Sequence, residues 1–177
     1  EFHYKPFKSM RSYVPIYKLN LNRIEEAANL INSAKKPLVV FGQGVILSEA
    51  EEVFKTFIEK AGLPSAWTIL GLSALESDHH LNVGMLGMHG NYAPNKLTNE
   101  CDLLIAIGMR FDDRVTGNLD LYAKQAQVIH IEIDPSEIGK NVPVDVAVLG
   151  DAKQVLQELL PRVENRNHPD WLMEFRL

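Results

Sequence analysis

CDLLIAIGMRFDDRVTG, residues 101–117, joins an apolar run to a charged loop, and the fold can be inferred outward from it. Residues 102–107 predict a strand buried on both faces, because the run after Asp102 has no polar position left for solvent. Such strands are typical of parallel sheets covered by helices on both faces. Gly108 then ends the strand, and a charged group follows at once: Arg110, Asp112, Asp113 and Arg114.

Similar apolar runs recur on either side of this stretch. They predict further strands at 38–42, 64–69, 127–133 and 144–149. Residues 70–91 match neither a strand nor an amphipathic helix and are expected to be irregular.

Helical patterns separate the strands. One begins after Asn20 as N-cap, one follows a Ser48–Glu51 capping box and ends at Gly62, and one begins after Asp151. A short helix with Pro94 in its first turn lies between them. Strands alternating with helices predict an α/β fold, a three-layer doubly wound (Rossmann-like) parallel sheet of five or six strands with helices on both faces.

Composition divides the chain into a body and two arms. Residues 20–161 carry the alternating pattern, whereas residues 1–19 and 162–177 do not. The second arm contains Trp171, Leu172 and Phe175, which are expected to dock on a neighbouring surface.

Charge and cysteine content exclude several classes of protein. A net charge of −5 argues against a nucleic-acid partner, and no apolar run is long enough to span a membrane. The single cysteine, Cys101, excludes an internal disulfide and fits a cytoplasmic protein with a buried, inert thiol.

Polar groups follow the predicted strands. Arg110 and Arg114 suit an anionic ligand, Gly42 and Gly44 form a turn that a ligand could approach, and Glu132 could accept hydrogen bonds from ribose hydroxyls. The alternative for the charged loop is a solvated turn with two internal ion pairs, and spacing alone leaves both open.

The segment NVGMLGMHGNYAPN, residues 82–95, interleaves glycines with methionines, a composition that suits close packing against a flat ligand. The six histidines show no metal-ligand spacing, and no nucleophile with its base is evident. We therefore expect no metal site and no catalytic residue in this chain.

Four motifs now carry a family resemblance: GMLGMHGNYAPN, GMRFDDRVTG, HIEIDPSEIGKN and DVAVLGDA. In this order and spacing they resemble the central domain of the acetolactate synthase (acetohydroxyacid synthase) family of thiamine-diphosphate-dependent enzymes, over residues 10–163. The resemblance implies that the two arms are interdomain linkers to pyrimidine-binding and diphosphate-binding domains of the same chain.

The resemblance also implies that this domain binds FAD in a structural role. Residues implied along the flavin are Gly42, Gly44, Thr68, Leu70, Met85, His89, Gly90, Gly108, Arg110, Asp112, Val115, Glu132, Asp134, Ile138, Asp151 and Ala152. Residues implied along the substrate channel are Met88, Asp113 and Arg114, the arginine holding the carboxylate of the second 2-ketoacid.

For the whole enzyme, the resemblance implies a transferase of branched-chain amino-acid biosynthesis, a homo-oligomer with a regulatory small subunit. It condenses pyruvate with pyruvate or 2-ketobutyrate, with loss of CO₂, using thiamine diphosphate and Mg²⁺ bound by the other domains. This chain lacks the GDG signature for that cofactor and is expected to be inactive alone. Two alternatives remain: a flavin-free middle domain of another thiamine-diphosphate enzyme, and a nucleotide-binding module of an oxidoreductase.

Overall fold

Six strands form one sheet in the computed structural model, which describes residues 3–4 and 18–177. In chain order the elements are α1 (Leu21–Ser33), β1 (Pro37–Phe41), α2 (Gln43–Leu47), α3 (Glu51–Ala61), β2 (Ser65–Trp67), β3 (Asn82–Met85), α4 (Tyr92–Leu97), β4 (Leu103–Ile107), α5 (Asp113–Thr116), β5 (Gln127–Glu132), β6 (Val146–Leu149), α6 (Ala152–Leu159) and α7 (Pro169–Glu174). Short 3₁₀ turns occur at Ile69–Gly71 and Pro135–Glu137.

All strand pairs are parallel, in the order β3-β2-β1-β4-β5-β6. The chain thus builds outward from β1 in one direction and then, from β4, in the other. In register, Val39 of β1 lies beside Ile105 of β4, which lies beside Ile129 of β5. The predicted doubly wound sheet is confirmed, and all six strands end at the same edge. We call this the carboxyl edge.

Apolar layers cover both faces of the sheet, because every residue of β4 is buried and alternate side chains point to opposite faces. Ile105 packs in the layer of α1, α3 and α6, whereas Leu104 packs in the layer of α4 and α7. Burying side chains of this size stabilises the fold by about 1.5–3 kcal/mol each.

Three predicted helix ends are confirmed. The Asn20 side chain accepts hydrogen bonds from two backbone amides of the first turn of α1, and Asp151 accepts one from Gln154 N at 3.1 Å. Gly62 ends α3 with φ +61°, the left-handed conformation that glycine adopts without strain.

The predicted Ser48–Glu51 capping box is wrong, although helix α3 is present. Ser48 Oγ donates to Gly44 O at 2.7 Å, so the hydroxyl closes the unforeseen short helix α2. Ala50 stands before α3 and has no side chain that could cap it. The serine therefore ends one helix and does not begin the next.

The segment expected to be irregular contains a strand, β3. Asn82–Met85 pairs with β2 at the edge of the sheet, where a register shift falls between Ser65 and Ala66. Gly84 has φ +103°. The strand has four residues, three of them paired in register with β2 and one of those a glycine, which explains why hydrophobic periodicity did not reveal it.

The carboxy-terminal residues pack on the chain's own core, so the expectation that they dock on a neighbouring surface is wrong. Trp171 is 3% exposed, its Nε1 donates to Pro37 O at 2.8 Å, and Lys36 Nζ lies 4.8 Å from its ring centre. Phe175 is buried, and Leu172 is half-buried against the same core. The boundary at 161/162 stays a prediction, and most of the amino-terminal arm lies outside the described residues.

Candidate functional site

The carboxyl edge gathers the predicted cofactor-binding residues from segments far apart in sequence. Gly42 follows β1, Thr68 follows β2, Gly108 follows β4, and Glu132 ends β5. Asp151 lies just beyond β6. In open parallel sheets this edge, near the point where the strand order reverses, is where ligands bind. Here that point lies between β1 and β4.

Glycines bring the loops after β1 and β4 into backbone contact at this point. Gly44 N donates to Gly108 O at 2.9 Å, and Gly108 has φ +55°. A Cβ on Gly44 would lie 2.5 Å from Gly108 Cα, and a Cβ on Gly42 would lie 2.6 Å from Gly108 O. The chain's own packing thus requires these glycines, independently of any ligand.

The charged loop contains the two internal ion pairs of the solvated-turn alternative. Arg110 Nη2 lies 3.5 Å from Asp112 Oδ2, and Arg114 Nη1 lies 3.0 Å from Asp113 Oδ1. The Arg110 side chain is nevertheless 63% exposed and that of Arg114 76% exposed. Exposed pairs contribute about 0–1 kcal/mol, so an anionic ligand could replace either aspartate at little cost.

The three predicted substrate-channel residues lie together. Met88 N donates to Arg114 O at 2.7 Å, and Asp113 pairs with the Arg114 guanidinium. Gly87, with φ +114°, permits this approach, because a Cβ there would lie 2.7 Å from Arg114 O. All three side chains are exposed. They form a small surface with an apolar, a negative and a positive group.

Two acidic side chains lie at the carboxyl end of β5, where Glu132 is the last strand residue and Asp134 lies just beyond it. Glu132 Oε1 accepts from Ile133 N at 2.9 Å and from Asp134 N at 3.2 Å, and burial raises the pKa of its carboxyl. Asp134 accepts two hydrogen bonds from Ser136, which lower the pKa of Asp134. Carboxylates at this place suit the hydroxyls of a ribose.

Some predicted residues stabilise the fold through contacts within the chain. The Thr68 hydroxyl donates to Phe41 O at 3.3 Å, and the Asp151 carboxylate caps α6. A Cβ on Gly90 would lie 2.5 Å from Met85 O, so that glycine also serves a tight turn. The remaining predicted residues lie at strand ends or in the segments that follow them. Met85 ends β3, Leu70 lies in the 3₁₀ turn after β2, Val115 lies in α5, Ala152 begins α6, and His89 and Ile138 lie in loops.

The extent of this edge limits what could bind it. From β2 to β6 the sheet crosses four inter-strand spacings, about 19 Å at the usual separation. Only an elongated ligand could contact Thr68 and Asp151 together. An exposed guanidinium on Arg110 and carboxylates on Glu132 and Asp134 match the pyrophosphate and ribose hydroxyls of a dinucleotide. The residues present therefore fit FAD.

Sequence reasoning missed two residues behind the charged loop, His130 and Asn141. They are the first and last residues of the motif HIEIDPSEIGKN, and that position was the only signal. Each donates a hydrogen bond to a carbonyl of the loop, Met109 O and Phe111 O respectively.

Two kinds of feature are absent from the part of the chain that the structure describes. In residues 3–4 and 18–177, no helix is long and apolar enough to cross a membrane. The same residues contain no group of three or more histidine, cysteine, aspartate or glutamate side chains placed to hold a metal ion.

Comparison with known proteins gives a consistent family. Residues 24–159 match the family model described as thiamine pyrophosphate enzyme, central domain. The chain is 43% identical over 168 residues to an acetolactate synthase of Mycobacterium bovis, covering 95% of the chain and 27% of that protein.

Two further relatives agree. The chain is 40% identical over 177 residues to the acetolactate synthase large subunit of Corynebacterium glutamicum, covering 97% of the chain and 28% of that protein. It is 39% identical over 166 residues to the acetolactate synthase large subunit of Buchnera aphidicola, covering 94% of the chain and 29% of that protein. The chain thus spans about a quarter of the length of these relatives.

Proposed function

The chain belongs to the thiamine pyrophosphate enzyme family and corresponds to the central domain of such an enzyme. From that premise we propose that it is the FAD-binding middle domain of an acetolactate synthase large subunit. The relatives' names support the choice of enzyme within the family. The match also argues against the oxidoreductase alternative.

One observation carries the FAD proposal. Residues that the family resemblance assigns to the flavin come from all six strand ends, and they lie along one edge of the sheet. That edge offers an exposed guanidinium at Arg110 and acceptor carboxylates at Glu132 and Asp134. An elongated anionic ligand with hydroxyl groups is the class that this order of groups recognises.

In this proposal the charged loop serves two ligands. Arg110 and Asp112 face FAD, whereas Met88, Asp113 and Arg114 line the way to the reacting substrate. FAD, when bound, has a structural role and takes no part in the net reaction. Arg114 then orients the carboxylate of the second 2-ketoacid, since its guanidinium is always charged and its pairing with Asp113 is exposed.

The intact protein is proposed to join two 2-ketoacids, pyruvate with pyruvate or 2-ketobutyrate, with loss of CO₂. Thiamine diphosphate supplies the carbanion chemistry and is bound, with Mg²⁺, by pyrimidine-binding and diphosphate-binding domains. We propose that it is a cytoplasmic homo-oligomer with a regulatory small subunit, and that this chain by itself does not turn over pyruvate.

Titration with FAD tests the proposal. The purified protein should quench flavin fluorescence saturably, and Arg110→Gln should weaken binding by roughly tenfold, the change that about 1.4 kcal/mol produces. Arg114→Gln is the matched control, because it removes a neighbouring exposed arginine that is proposed to face the substrate and not FAD. Equal losses in both variants would contradict the division of roles within the loop.

The flavin-free alternative is favoured by one observation. Gly42, Gly44, Gly90 and Gly108 are all required by contacts within the chain, so they need no ligand to explain them. The same titration distinguishes the FAD-binding domain from the flavin-free domain. A folded protein that shows no saturable binding of FAD would favour the flavin-free domain.

A further inference from the structure

The first part of the charged loop, residues 108–112, is held in place by two side chains that lie outside the loop. His130 Nε2 donates to Met109 O at 2.9 Å, and Asn141 Nδ2 donates to Phe111 O at 2.6 Å. These two carbonyls flank Arg110 in the chain. The backbone on either side of that arginine is therefore fixed by side chains from the segment 130–141.

His130 is built into the sheet. It lies on β5, its side chain is 0% exposed, and its ring meets that of Phe111 edge-on at 5.0 Å between ring centres. Because a carbonyl only accepts, Nε2 carries the hydrogen and Nδ1 is left as an acceptor. Nδ1 is buried and finds no partner among the described residues.

Burial disfavours the protonated, charged ring of His130 more strongly than the nearby carboxylates favour it. Glu132 Oε2 lies 3.9 Å from Nε2, and the Glu137 carboxylate also favours the charged ring. Burial outweighs them and lowers the pKa of His130. The Arg110 guanidinium is on the neighbouring loop and adds positive charge there. His130 thus acts as a neutral donor of one hydrogen bond.

Asn141 completes the support from the other side. It ends the segment that follows β5, and Phe111 O, which can only accept, requires the amide nitrogen to face it. Gly44 N holds Gly108 O on the side of β1. The loop is thus anchored on both sides of Arg110, while the Arg110 side chain itself stays mostly exposed, with only Asp112 beside it.

We propose that His130 and Asn141 are positioning residues, which hold the charged loop in the shape that presents Arg110 to an anionic ligand. The proposal rests on the function proposed above, in which that ligand is FAD. Neither residue touches the ligand in this arrangement. They act through Met109 and Phe111, and so through the direction in which the Arg110 side chain leaves the backbone.

A double-mutant cycle with FAD as the probe separates positioning from general stability. Residues that orient a binding group from behind change affinity by roughly 10- to 100-fold when mutated, as the outer partners of metal ligands do. Because their effect passes through Arg110, whose loss should cost about tenfold, we expect His130→Phe and Asn141→Leu each to weaken FAD binding by about tenfold, the lower end of that range. His130→Gln keeps a donor for Met109 O and should bind nearly as the parent protein does.

The same substitutions are then made with Arg110→Gln. If His130 and Asn141 act through Arg110, their effect on FAD affinity should shrink to within about threefold in that background, because the coupled group is already gone. Fully additive losses would overturn the proposal. If His130→Phe does not fold, Asn141→Leu carries the cycle, since Asn141 is at the surface.

Hydrogen exchange without ligand distinguishes failure of this proposal from failure of the proposed function. Amides of residues 108–112 should exchange faster in His130→Phe and Asn141→Leu, while those of β4 stay as in the parent protein. Faster local exchange in a protein that binds no FAD would retain the positioning role and reject FAD as the ligand. Unchanged exchange in the loop would overturn the positioning role.

Discussion

Replacing Gly108 by alanine tests the backbone contact between the loops that follow β1 and β4. Gly108 has φ +55°, and an alanine Cβ there would lie 2.6 Å from Gly44 Cα and 3.0 Å from Val45 N. Both contacts are with backbone, so no flexible side chain can move aside. The substitution therefore combines backbone strain with steric overlap.

Gly139 separates these two effects. It has φ +67°, and a Cβ there would meet nothing within 4 Å, so Gly139→Ala has the backbone strain alone. A left-handed alanine costs about 1–2 kcal/mol, and its stiffer unfolded chain offsets about 0.4–1 kcal/mol of that. We expect Gly139→Ala to lower the free energy of unfolding by about 1 kcal/mol.

At Gly108 the overlap adds about 1–3 kcal/mol, the usual cost of forcing an extra methyl into packed atoms. The expected total is about 2–4 kcal/mol. Urea unfolding followed by circular dichroism measures both variants, with the dependence on urea checked for constancy. A Gly108→Ala variant as stable as Gly139→Ala would refute the argument that the loop contact requires glycine.

Three further predictions concern the rest of the molecule. Burial and the nearby Asp102 charge raise the pKa of Cys101 to about 12, so the thiol should resist a disulfide reagent at pH 8 until urea unfolds the protein. Prompt labelling of the native state would contradict this prediction. Trp171→Phe leaves Pro37 O without its donor and should cost about 1–3 kcal/mol in urea unfolding, whereas a loss below about 0.5 kcal/mol would show that the bond contributes little. Burial raises the pKa of Glu132, so the folded state binds more protons than the unfolded state and stability falls as pH rises above about 4.5. Glu132→Gln should remove that fall, and parallel stability–pH curves for the two proteins would contradict this prediction.

Continuous apolar runs made most of the sheet predictable. The apolar runs at Leu103–Ile107 and at residues 127–133 predicted buried strands. Their alternation with capped helices predicted a parallel, doubly wound sheet. These signals are local and strong. The placement of helices on both faces then followed from general rules of connection, whereas the strand order was not predicted from the sequence.

The failures have identifiable physical causes. Strand β3 depends on pairing with β2 and not on its own sequence, which includes a glycine at φ +103°. The Ser48 hydroxyl could serve either neighbouring helix, and only the backbone geometry decides that it closes α2. Trp171 lacked a visible partner, because Pro37 is distant in sequence and near in space.

The site shows the same division. Arginines after a buried strand could be identified from the sequence, because strand ends in a parallel sheet share one edge. His130 could not, since it lies in an apolar strand and its contact with Met109 O crosses from β5 to the loop after β4. A residue that acts on another residue's backbone leaves no pattern of its own in the sequence.

The contact between Gly44 and Gly108 has a consequence for how the molecule assembles. Gly44 lies in the segment after β1, in the half of the sheet formed by β1, β2 and β3. Gly108 lies in the loop after β4, in the half formed by β4, β5 and β6. The hydrogen bond between them forms only when both halves are folded and docked. A ligand that binds there therefore recognises the assembled sheet and stabilises it by mass action. Occupancy of this edge and cooperative folding of the two halves should rise and fall together, so that thermal stability measured against ligand concentration reports the union of the halves.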